Sequence, residues 1–193
     1  MDPYPNFIKI MLNLLLGIFF SCGSQDDILS ESIDLELTVV INEINYNSSN
    51  EFDPGDWVEL YNSTGEILNI GNWTFKDGDD SHVYSIPENT FLTPDNYLVL
   101  CSDTNSFTSH FPVVQKFEGN LGFSFSGNGE LLRLYNTENI LIDRVNYDDS
   151  DPWPTAPDGN GPTLELIDPL SDNGSAENWT ASEENGSPTQ SNN

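Results

Sequence analysis

A chain of 193 residues has room for one domain with terminal segments, because a single domain typically spans about 100 to 200 residues. Its 32 acidic residues against 5 basic ones give a formal net charge of -27. That balance excludes a phosphate-reading surface, since nucleic-acid binding needs clustered Lys and Arg to displace counterions, whereas past residue 21 only Lys76, Lys116, Arg133 and Arg144 are basic. It also argues against direct binding to an anionic membrane surface and favours cations or basic partners.

Residues 1–21 carry Lys9 and then an apolar run over residues 10–20. The run is too short to cross a bilayer as a helix, which takes about 20 residues, but fits the roughly 7 to 15-residue apolar core of an export signal. Ser21-Cys22-Gly23 follows. A small residue before a cysteine at that place resembles the processing box of bacterial lipoproteins, although Phe19 and Phe20 depart from its usual residues. The resemblance implies that Cys22 is the lipidated N-terminus and that the protein sits at the bacterial outer membrane or cell surface. Acyl chains would hold it there, each buried CH₂ contributing about 0.8 kcal/mol. Ser24-Gln25-Asp26-Asp27 resembles the acidic stretch that sorts such lipoproteins outward. Residues 22–36 read as an acidic tether, extended by its own repulsion. Cys101 is then left alone in an apolar run, where a thiol packs as a small hydrophobic group.

Residues 39–62, VVINEINYNSSNEFDPGDWVELYN, read as two strands across a polar loop. Apolar residues alternate at Val39 and Ile41 and, after Asn42-Glu43, at Ile44 and Tyr46, and the alternation returns from Trp57 to Tyr61. Asn, Asp, Ser and Gly fill the connection and favour turns. Further strand-like runs occupy residues 73–75, 83–86, 97–100, 113–117, 131–135, 140–145 and 163–167, and residues 103–110 suit one helical turn. Many short strands with turn residues between them indicate an all-β sandwich or barrel. Trp57, Trp73 and Trp179 read as core or core-edge packing, whereas Trp153, between Pro152 and Pro154, is expected to be exposed.

The pairing of INEINYN with WVELYN, followed by LNIGNWTF, resembles the lamin tail domain, an immunoglobulin-like β-sandwich whose bacterial members are typically secreted or membrane-anchored. Later segments match in order: TPDNYLVL, the serine-glycine turn FSGNGELLRL, IDRVNY, Trp153-Pro154, TLEL, Asn178-Trp179 and the closing Gly186-Ser187-Pro188. The resemblance covers about residues 37–188, leaving 189–193 as a polar tail. Two departures stand out: the family commonly has glycine where Asp95 follows Pro94, and a basic residue where Pro162 follows Gly161.

Catalytic chemistry finds little material. There are two histidines, His82 and His110, and GFSFS at residues 122–126 misses the G-x-S-x-G elbow because Ser126 takes the last glycine position. Asp77-Gly78-Asp79-Asp80-Ser81 gathers carboxylates around a glycine, and oxygen ligands of this kind suit Ca²⁺, so Asp77, Asp79 and Asp80 are the candidate metal ligands. The spacing is not that of an EF-hand. The chain therefore reads as a lipid-anchored, non-catalytic surface module that binds or adheres to a protein or glycan. A Ca²⁺-dependent ligand- or carbohydrate-binding lipoprotein is the alternative, and a hydrolase with a hidden site a third.

Overall fold

In the computed structural model, which describes residues 38–192, strands β1 (Val39–Asn45) and β2 (Trp57–Asn62) run antiparallel, with Val40 opposite Tyr61 and Ile44 opposite Val58. The export signal, Cys22 and the tether lie outside the described residues. The break in alternation at Asn42-Glu43 is a bulge, the register shifting between Ile41 and Glu43. One extra residue returns the apolar side chains to the core side, so Ile41 and Ile44 both lie in the main cluster.

The remaining elements are β3 (Leu68–Asn69), β4 (Thr74–Lys76), β5 (Tyr84–Ser85), β6 (Phe91–Leu92), β7 (Tyr97–Cys101), helix α1 (Thr104–His110), β8 (Phe117–Gly119), β9 (Glu130–Tyr135), β10 (Leu141–Tyr147), β11 (Leu164–Leu166) and β12 (Trp179–Ala181). They form a six-stranded sheet ordered β12-β11-β1-β2-β7-β8, a four-stranded sheet ordered β10-β9-β4-β5, and the pair β3-β6. Neighbours are antiparallel except β7 and β8. Val58, Leu60 and Leu100 of the larger sheet share the main core with Phe75, Leu132, Leu134 and Val145 of the smaller.

The larger sheet is buried on its other face too. Trp57, Val99 and Cys101 form a second cluster with Phe107 of α1 and with Val114, the Trp57 and Phe107 rings lying edge to face 6.0 Å apart. Phe107 reaches this cluster because Asp103 caps the helix, its carboxylate accepting from the Asn105 and Ser106 amides.

Two expectations change. Residues 113–116 are not strand: Val113 is 85% exposed, and the strand starts only at Phe117, pairing parallel with β7. Trp153 is buried at 9% exposure, its ring 5.9 Å from that of Trp179. Trp73 takes the core-edge place expected of it, half-buried and packed against the main cluster. The family departure at Asp95 also acquires a reason, for its φ of 52° lies in the left-handed region where glycine is the usual occupant. Asp95 uses its side chain there to accept a hydrogen bond from the Tyr61 hydroxyl at 3.0 Å.

Candidate functional site

The acidic loop after β4 is tied down by its own chain. Asp77 is 2% exposed; one carboxylate oxygen accepts from the Asp79 amide at 2.8 Å and the other meets His82 Nδ1 at 2.7 Å. The bond to Asp77 raises the His82 pKa above its ordinary value, and the imidazole lies flat over Phe123 with centroids 5.1 Å apart. Asp79 turns to Ser81, accepting from its amide and hydroxyl. Asp80 pairs with Arg133 at 2.8 Å, and the same guanidinium donates to the Asp77 carbonyl. The three carboxylates expected to hold Ca²⁺ thus each have a different partner, and among the described residues no group of three or more His, Cys, Asp and Glu is placed to hold a metal ion.

Other sequence candidates are similarly engaged. His110 Nδ1 contacts the Ser106 carbonyl of its own helix at 2.9 Å. Cys101 is fully buried, and burial pushes its thiol up to about 11, far from the depressed values of reactive cysteines.

A second constellation lies across the larger sheet. Glu43 of β1 stands opposite Glu59 of β2 on one side and Glu165 of β11 on the other, and all three residues have zero exposure. Cross-strand partners hold their Cβ atoms about 4.5 to 5.5 Å apart, so this is a row of neighbouring carboxylates. Residues 186–192 cover it as a strap. Glu43 Oε1 accepts from the Thr163 hydroxyl at 2.6 Å and the Ser187 amide at 3.0 Å. Glu59 accepts from Asn42 Nδ2 at 3.0 Å and from the Thr189 amide, and Glu165 accepts from the Ser187 hydroxyl at 2.9 Å. Asn192 then bridges the strands by donating to the carbonyls of Asn42 and Leu166.

The strap needs glycine at its entry. Gly186 has a φ of +94°, and a Cβ there would meet Glu43 Oε1 at 2.7 Å, Thr163 Cγ2 at 2.8 Å and Trp57 Cζ2 at 2.9 Å. Burial, and then the charge of Glu59, raises the Glu43 pKa well above the carboxylate range. Burial raises Glu59 to about 8. Glu43 Oε2 is buried with no hydrogen-bond partner. The arrangement can hold a proton and a backbone segment together; its chemistry is that of a latch.

In the sequence these glutamates stand inside strand motifs, with nothing local to mark them as a group. The available signal was one acid in the middle of each apolar strand, in INEIN, WVELY and TLEL. Such residues are almost never fully buried unless partnered.

No helix among the described residues is long and apolar enough to cross a membrane. Comparison with curated proteins gives no match. Residues 36–149 match the model of the Lamin Tail Domain family, a span that includes Glu43, Glu59 and the inter-sheet core but stops before β11 and the strap. With more than half of its length matched and an immunoglobulin-like sandwich for a fold, the chain belongs to the lamin tail domain family.

Proposed function

We propose that the protein is a lipid-anchored surface module that presents its lamin tail domain to a protein or glycan partner and carries out no chemistry itself. The observation that carries this reading is the apolar run over residues 10–20 ending at Ser21-Cys22, set before a domain of this family. Three features support the non-catalytic part. His82 is bonded to Asp77 and stacked on Phe123, His110 is bonded to its own helix, and the Cys101 thiol is buried. The strong acidity makes a basic partner surface the electrostatically favoured one.

Fractionation of expressing cells tests the anchor. The protein is expected in the membrane fraction, partitioning into detergent, with acyl mass on the peptide that begins at Cys22, because several acyl chains outweigh thermal energy many times over. Cys22→Ser should be unprocessed or released without lipid. Soluble wild-type protein lacking acyl mass would remove the anchor and leave a secreted module.

A further inference from the structure

We propose that residues 186–192 form a strap latched by a proton on Glu43 Oε2: the proton stays while the strap is closed and leaves when the strap lifts. The argument is geometric. An ionised carboxylate needs donors on both oxygens, yet Glu43 offers Oε1 to Thr163 and Ser187 while Oε2 is enclosed without a partner. The groups facing it add negative charge. Glu59 comes from β2 and Glu165 from β11, and Tyr97 of β7 feels the charges of both Glu59 and Glu43. Glu183 and Glu184 line the polar cleft over Glu165 beside the strap. Thr163, Ser187 and Thr189 supply only neutral donors, and no Lys, Arg or His is among the groups acting on Glu43 or Glu59. A buried row of acids without a base is relieved either by a proton or by letting water in. Water enters where the strap lifts, since Ser187 and Thr189 hold it to the row through their amides.

The sign follows from the raised pKa. Below the ordinary glutamate value of 4.5 the closed and open states are both protonated. Between that value and the raised closed-state value the open state gains by up to about tenfold per pH unit for one linked proton, and the gain levels off once both states are ionised.

Hydrogen exchange of the full chain, corrected for intrinsic rates and followed from about pH 5 to about pH 9, reads this directly. Protection of the Ser187 and Thr189 amides should fall with rising pH while that of the β1–β2 amides holds. Glu43→Gln, which keeps a neutral group at that place, should leave the strap protected with a shallower pH slope than the wild type, the remainder belonging to Glu59 under Thr189. Gly186→Ala, which dislodges the strap by crowding Glu43 Oε1, Thr163 and Trp57 while leaving every acid in the chain, should expose the same two amides at every pH. Should Glu43→Gln fail to fold, the wild-type protein still decides, because strap amides that track the core amides across the range overturn the proposal. A Glu43→Gln protein retaining the wild-type pH slope overturns it equally.

Discussion

At Asp143 a single side chain closes the bulge in β1. Its Oδ2 accepts from the Ile41 amide at 2.6 Å and from Asn173 Nδ2 at 2.7 Å, so the ladder bond lost at the bulge is replaced from the other sheet. Asp143→Ala would leave the Ile41 N–H buried without an acceptor, and the expected loss is about 1–3 kcal/mol in denaturant unfolding. A neutral result would mean that water reaches Ile41. Tryptophans separate by the same logic of burial. Trp179 is 4% exposed and donates to the Asn173 carbonyl at 2.8 Å, so Trp179→Ala should cost about 3–5 kcal/mol. Half-buried Trp73 should cost less when replaced by Ala, about 1–2 kcal/mol on an area basis. Equal losses would place both rings equally deep.

Among the elements, those with a strong period were legible in the sequence and those defined by their neighbours were not. β1 and β2 could be read from alternation and β7, β9 and β10 from strand-like runs set between turn residues, and even the bulge showed as a phase slip at Asn42-Glu43. By contrast β3 and β6 have two residues each and exist only by pairing Leu68 with Leu92 and Asn69 with Phe91. The apolar pair Val113-Val114 looked like strand because composition does not distinguish it from a turn, which places Val114 in the α1 cluster and Val113 in water. The glutamate row was hidden for a related reason: each acid belongs to a different strand, and only register makes them neighbours. The candidate Ca²⁺ loop was legible as a composition and not as a geometry, because the partners of Asp77 and Asp80, His82 and Arg133, come from beyond the loop. Helix α1 was legible only as one helical turn over residues 103–110, and the structure adds its Asp103 cap. Asp103→Ala should cost about 1 kcal/mol and loosen Phe107 against Trp57, seen as a lower midpoint in urea with little change in far-ultraviolet dichroism.

For the whole molecule, several acids are held above their usual range by burial. Asp56 stands at about 6 and Glu59 at about 8, with Glu43 and Asp143 raised as well. Each contributes stability that is fully present below the unfolded value, 3.8 for the aspartates and 4.5 for the glutamates, and lost as pH rises through the folded one, so the loss falls between about pH 4 and about pH 8. The melting temperature should therefore be higher near pH 5 than near pH 8, and the reverse order would contradict their burial. The limits of the domain are also testable. A chain ending at residue 149, where the family match stops, lacks β11, which lies between β1 and β12, and lacks the whole cover of the glutamate row. It should show no cooperative melting transition, whereas residues 37–192 should melt in one.

The 144 residues between Glu43 and Ser187 also set an order of events during synthesis. β1 is made early, but its carboxylate has no dry place to go until the strap has been made and laid across it. A nascent chain emerging vectorially therefore holds its first strand in an unfinished, hydrated state until almost the whole domain is present. Closure of the sandwich is therefore a late step of synthesis, completed only once residues 186–192 have emerged and been laid over the glutamate row.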